Sequence, residues 1–124
     1  MKKLILIFLL LFSMGGLAFA QPNTSCKNDD ESLICIRSSS KAVINEMKKV
    51  ILNIEESSDN LQKFQISQSK WLAYKNAYCK DFMGEEATNA QGDGATIIIE
   101  SCLLDIDKAR LDELKRLNKV YSAQ

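Results

Sequence analysis

The sequence predicts an all-α fold, a small antiparallel three-helix bundle held together by disulfide bonds. Apolar residues recur at helical spacing through most of the chain. The only proline is Pro22, so no proline interrupts a predicted helix, and four cysteines are present. With 124 residues, 46% of them hydrophobic and 26% charged, the chain has the length and composition of one globular domain.

Residues 1–20 have the pattern of a secretory signal peptide. Two lysines precede an apolar run over residues 4–12, and a small-x-small cleavage pattern ends at Ala20. A retained anchor is the alternative, but a membrane-spanning helix needs about 20 apolar residues. We therefore expect cleavage after Ala20 and a periplasmic or secreted product with no stable membrane span.

Charge and composition argue against several classes of function. Sixteen basic and sixteen acidic residues cancel, which disfavours a nucleic-acid partner. Histidine is absent, and the chain has no CxxC pair, serine-hydrolase motif or phosphate-binding glycine loop. Glu100, Asp105 and Asp107 could supply paired carboxylates, but Asp105 and Asp107 face different ways on a helix, so a solvated surface is favoured. We expect a protein that is not an enzyme, with no catalytic residues, metal or cofactor.

The mature chain divides into a polar segment, residues 21–39, and a helical domain, residues 40–124. Ser40 is the predicted N-cap of the first helix, and Ser57-Ser58 either ends that helix or only interrupts it. Its buried face is predicted from apolar residues at helical spacing: Val43, Ile44, Met47, Val50, Ile51 and Ile54.

The second helix is predicted from Asp59 to Met83. Its apolar stripe contains Leu61, Phe64, Trp71, Leu72, Tyr78, Cys79 and Phe82. Gln68 and Lys75 project into the same face. The stripe is either core with buried hydrogen bonds or a partly covered surface available to a partner; we favour core, because aromatic stripes at helical spacing usually pack.

A loop rich in glycine and acidic residues is predicted from Gly84 to Gly94. Three isoleucines, Ile97 to Ile99, then open the third helix. Taken alone they would also suit a strand, but the helical rhythm continues to Tyr121.

Four cysteines in a small exported chain predict a disulfide framework, with free thiols as the alternative. Three pairings are possible in principle. Cys79 and Cys102 both fall on buried stripes near the loop end of an antiparallel hairpin, so we favour Cys79–Cys102. Cys26–Cys35, a local disulfide in the polar segment, follows by default.

Three segments in order resemble one known family. They read Gln68-x-x-Trp71-Leu72-x-Tyr74-Lys75-x-x-x-Cys79, then Gly92-x-Gly94-Ala95, then Cys102-Leu103 followed by Lys108, Arg110 and Leu114. This set, with its cysteine spacing, resembles the LprI-type lysozyme inhibitors of bacteria over roughly residues 26–118. The resemblance implies an exported, helical, disulfide-bonded protein that inhibits lysozyme. Lys75 stands where the family usually has arginine, and Asp107 where threonine is usual.

The expected mechanism of inhibition is occlusion of the lysozyme cleft. The candidate contact element is the Gly84–Gly94 loop, in which Glu85, Glu86 and Asp93 would face the basic rim of the enzyme. Its alternative role is a flexible connector with solvated acids.

The alternative function is an envelope binding module without lysozyme inhibition, which would use the side of the second helix that carries Trp71, Tyr74 and Tyr78. For the remaining polar motif residues, we expect Arg110 to bond Gln68 between the second and third helices. Lys75 is expected to reach toward solvent past Tyr74 or Tyr78. The alternative is that these three polar residues only cover the rim of the bundle. No sequence feature predicts an oligomeric state.

Overall fold

The computed structural model describes residue 26 and residues 32–123. Helix α1 spans Leu33–Ser57, α2 spans Leu61–Asn76, α3 spans Met83–Glu86 and α4 spans Gly94–Ser122. A π-helical segment, Ala77–Phe82, joins α2 to α3, and a 3-10 turn, Ala87–Asn89, follows α3. The described residues therefore form three helical rods and no strand, as the all-α prediction states. The predicted signal peptide lies outside the described residues.

Helices α1 and α4 run in the same direction. Near the starts of both helices, the guanidinium of Arg37 binds the carboxylate of Glu100 through two N–H groups. At their other ends, the hydroxyl of Tyr121 donates to that of Ser58, just after α1. Contacts at both ends fix the register of the two longest helices.

Helix α2 runs opposite to both. Its Gln68 contacts Arg110 in the second half of α4, whereas Cys79, beyond its end, is joined to Cys102 in the first half. The order is therefore up, down, up, which is the predicted antiparallel three-helix bundle.

The hydrophobic core lies between α1 and α4, with a small contribution from α2. Its buried members are Met47, Val50, Ile54, Phe64, Leu111 and Leu114. The predicted face of α1 is confirmed except at Ile44, which is exposed. The predicted core stripe of the second helix is largely wrong, because four of its seven residues are exposed: Leu61, Leu72, Tyr78 and Phe82.

The first helix begins at Leu33, not after Ser40. The side chain of Ser32 accepts a hydrogen bond from the backbone N–H of Cys35, which satisfies one of the donors left free at a helix start. A disulfide joins Cys35 to Cys26 and fastens the preceding chain to this first turn. Residues 33–39 of the predicted polar segment are therefore helical.

Candidate functional site

Three exposed aromatic side chains form a ladder along the second helical rod. The ring centroids of Tyr74 and Tyr78 are 5.8 Å apart, and so are those of Tyr78 and Phe82, with interplanar angles of 18° and 29°. The three residues are 57%, 40% and 55% exposed. Tyr74, Tyr78 and Phe82 are called the aromatic ladder below. Stacked rings held open to solvent make a pre-formed apolar surface.

The π-helical segment explains why Tyr78 and Phe82 are exposed. In a regular α-helix, Tyr78 would share the buried face of Trp71, because seven residues make almost two turns. In the segment Ala77–Phe82 the backbone N–H of Met83 instead donates to the carbonyl of Tyr78, five residues back. This wider turn delays the return to the buried face by one residue. Cys79 is consequently fully buried, while Tyr78 lies at the surface.

The chain that follows the aromatic ladder is mostly helical and does not form a long loop. The prediction of a loop from Gly84 to Gly94 is wrong for most of its length, since α3 and the 3-10 turn extend to Asn89. Ala87 is buried, and the hydroxyl of Thr88 donates to the carbonyl of Glu85, which together favour the helical path. Gly92, with φ of 57°, makes the tight reversal before α4.

The three predicted contact acids lie at this tip. Glu85 and Glu86 belong to α3, Asp93 is the residue before α4, and all three are exposed. Glu85, Glu86 and Asp93 are called the acidic tip below. Glu86 follows Phe82 by four residues on continuous helical backbone, so the ladder and Glu86 occupy one side of the rod, whereas Asp93 lies beyond the chain reversal at the start of α4. The last ring of the ladder, Phe82, is therefore followed within one helical turn by the carboxylates of Glu85 and Glu86.

Behind the ladder, α2 and α4 are joined by a polar contact. The Arg110 guanidinium donates through Nε to Gln68 Oε1 at 2.9 Å and through Nη2 to the same oxygen. Its Nη1 donates to Glu113 at 2.7 Å. The predicted bond between Gln68 and Arg110 is present in the structure.

Trp71 lies between two cations in the same interface. The ammonium of Lys75 is 5.0 Å from the centroid of its ring, and the guanidinium carbon of Arg110 is 5.6 Å away. Both distances are within the range of cation–π attraction. These contacts explain how a half-buried tryptophan coexists with polar neighbours on one face of α2.

Lys75 does not reach toward solvent, as the sequence analysis expected. Its Nζ donates to Asp107 Oδ1 at 2.7 Å, and the two side chains are only 13% and 3% exposed. Asp107 supplies the opposite charge that makes a largely buried ammonium tolerable. The expectation of a solvated Asp107 is wrong for the same reason.

The candidate carboxylates do not form a catalytic pair. Glu100 is bound by Arg37, Asp107 by Lys75, and Asp105 faces solvent. The hydrogen bonds to Glu100, reinforced by its charge, raise the pKa of Arg37 above the ordinary value. Within residue 26 and residues 32–123, no group of three potential metal ligands converges.

A protein family described as Lysozyme inhibitor LprI matches residues 23–114, well over half of the chain. The chain belongs to this family. No curated protein and no solved structure matches it.

Membership of the LprI family confirms the resemblance carried by the motifs. Its description is that of an inhibitor family, which indicates a lysozyme-inhibitor-like protein with a protein partner such as lysozyme. LprI proteins are exported inhibitors, and this agrees with the signal peptide expected over residues 1–20. None of the described helices has the combination of length and apolarity needed to cross a membrane.

Lys75 and Asp107, the two residues that the sequence analysis set apart from the family motif, contact each other. Taken together, they were a signal in the sequence for this ion pair. The exposed ladder also has a signal, the spacing of four residues from Tyr74 to Tyr78 and from Tyr78 to Phe82.

Proposed function

We propose that this LprI-type protein inhibits lysozyme by occluding its substrate cleft with the acidic tip and the aromatic ladder. The observation that carries the proposal is the continuity of the two surfaces on one rod, where exposed rings lead into exposed acids at Glu85 and Glu86. Aromatic side chains are enriched among the residues that dominate protein interfaces.

The charge of the tip supports the choice of partner. Lysozymes cleave glycan strands with two carboxyl groups in a cleft, and many have a strongly cationic exterior. Three exposed carboxylates at this end of the bundle complement a basic cleft rim, which accelerates association and makes it sensitive to salt.

The tip is also well supported. The disulfide Cys79–Cys102 joins the π-helical segment to α4, and Ala87 is buried against the bundle. A surface that is ordered before binding loses less conformational entropy when it enters a cleft. The tip is therefore better suited to occlusion than the flexible connector considered from sequence.

The test is the clearing of a cell-wall suspension by purified lysozyme, with and without the mature protein, residues 21–124. We expect the mature protein to slow clearing in proportion to its concentration. The variant Glu85→Gln/Glu86→Gln should raise the concentration needed for half inhibition, because it removes two charges without changing side-chain size.

The matched control is Glu56→Gln/Asp59→Asn. These two exposed acids lie at the turn between α1 and α2, the opposite end of the bundle. The control should inhibit like the unchanged protein. Equal loss in both variants would show that only net charge matters and would contradict a contact at the tip.

A second candidate function is an envelope binding module with no effect on lysozyme. The exposure of Tyr74 and Tyr78 favours this function, because such a module needs an exposed apolar surface on which a partner can dock. The clearing assay separates the two functions. An unchanged clearing rate at every concentration of the mature protein contradicts inhibition and favours the module.

A further inference from the structure

A groove of about 510 Å³ lies between α1 and α4, and its lining includes no residue of the ladder or the acidic tip. Its volume is within the range of small-molecule sites, about 300–1,000 Å³. A smaller cavity of about 170 Å³ continues it toward Trp71, since Ile44, Lys48, Lys75 and Asp107 line both. Both apolar and charged side chains line the combined groove.

The groove has an excess of positive charge. Its two acids are already engaged, Glu100 by Arg37 and Asp107 by Lys75. Lys41 and Lys48 also line it, and neither forms an ion pair with a described residue. Two ammonium groups therefore remain available to a ligand.

The order of residues along α1 places apolar surface between these two cations. Positions 41, 44 and 48 lie on one side of a helix, three and four residues apart. Ile44 is 37% exposed between the lysines, whose backbone positions are about 10 Å apart along the axis. Leu103 of α4 lines the same groove.

We propose that this groove binds an amphiphilic anion, a carboxylate or phosphate head group on an apolar body. The ammonium of Lys41 or Lys48 holds the head group, and the apolar body lies over Ile44 and Leu103. A lysine ammonium is a compact point charge that accepts either oxyanion without requiring planar geometry. This site is separate from the proposed lysozyme contact and does not depend on it.

The test is isothermal titration of the mature protein, residues 21–124, with octanoate and octyl phosphate below their micelle concentrations. Acetate and octan-1-ol are the controls, because each keeps only one half of the amphiphile. We expect at least one eight-carbon anion to bind at least tenfold more tightly than either control. Binding of octanoate alone assigns a carboxylate ligand, and binding of octyl phosphate alone a phosphate ligand; both results support the site.

Variants locate the site. Lys41→Gln/Lys48→Gln should weaken binding of the eight-carbon anion at least tenfold, and Ile44→Ser should weaken it severalfold. Lys49→Gln is the matched control, since Lys49 is an exposed lysine next to Lys48 that does not line the groove. All the substituted side chains are exposed, so circular dichroism should show unchanged helix content. Unchanged affinity in the double lysine variant, or octan-1-ol binding as tightly as the anions, would overturn the proposal.

Discussion

Lys75 and Asp107 form the only ion pair among the described residues in which both side chains are largely buried. The distance from Nζ to Oδ1 is 2.7 Å, and the pair bridges α2 and α4 at the edge of the core. In the other three pairs at least one partner is more than half exposed. The pair lies beside Trp71, and the charge of each buried member is balanced by the other.

Removal of one member of this pair should be costly. We expect Asp107→Ala to lower the free energy of unfolding by about 3–5 kcal/mol, because it leaves the Lys75 ammonium buried without a counter-charge. The double variant Lys75→Met/Asp107→Leu should recover most of that loss. Urea unfolding followed by circular dichroism measures both.

The exposed pair Glu46–Lys115 provides the control. Its side chains are 51% and 42% exposed, so Lys115→Ala should change the unfolding free energy by less than about 1 kcal/mol. A similarly small effect of Asp107→Ala would mean that water reaches the buried pair as freely as the exposed one.

Two glycines near the tip should respond oppositely to alanine. Gly92 has a positive φ, so Gly92→Ala should destabilise the protein by about 1–2 kcal/mol. Gly84 is in α3, and a Cβ there would lie 3.8 Å from Ile99 Cδ1, an ordinary contact. Gly84→Ala should therefore stabilise the protein by about 0.5–1 kcal/mol. Urea unfolding of both variants checks the signs, and two changes of the same sign would contradict the tip geometry.

The disulfide between Cys79 and Cys102 should contribute more stability than the one between Cys26 and Cys35. The two disulfides span 23 and 9 positions, and a longer closed loop restricts the unfolded chain more. In the chain-entropy account the longer one contributes about 3 kcal/mol.

We expect Cys79→Ala/Cys102→Ala to lower the midpoint of urea unfolding by more than Cys26→Ala/Cys35→Ala does. Cys35 and Cys79 are both buried, so both variants leave unfilled space in the protein and loop length is what separates them. Equal midpoints for the two variants would show that loop length does not decide the contribution.

The parts of the fold that follow local periodicity were predictable from sequence. The buried face of α1 at Met47, Val50 and Ile54 follows helical spacing, and the structure agrees. The end of α1 at Ser57 also agrees with the sequence. The pairing of Cys79 with Cys102 follows from two stripes meeting in an antiparallel hairpin, and the structure has that pairing.

The parts that do not follow regular helical periodicity were not predictable in this way. A π-helical turn has no periodic signal, so Tyr78 and Phe82 were assigned to the core although they are exposed. The position of the Lys75 ammonium depends on Asp107, which is 32 residues away along the chain. The start of α1 depended on Ser32, which competed with an equally good cap at Ser40.

The aromatic ladder should carry much of the affinity for lysozyme, a prediction that depends on the proposed function. We expect Tyr74→Gln/Phe82→Gln to raise the concentration for half inhibition of cell-wall clearing at least tenfold, since aromatic anchors dominate most interfaces. Both side chains are more than half exposed, so unfolding free energy should change by no more than about 0.5 kcal/mol.

The matched control for the ladder is Ile66→Gln. Ile66 is an exposed apolar residue on the same helix, 48% exposed and outside the ladder. Its substitution removes exposed apolar surface from α2 but should leave inhibition within twofold of the unchanged protein. If Ile66→Gln weakens inhibition as much as the ladder variant does, general hydrophobicity of α2 governs binding. If neither variant weakens it, the acidic tip binds without the rings, and the contact surface is confined to the end of the rod.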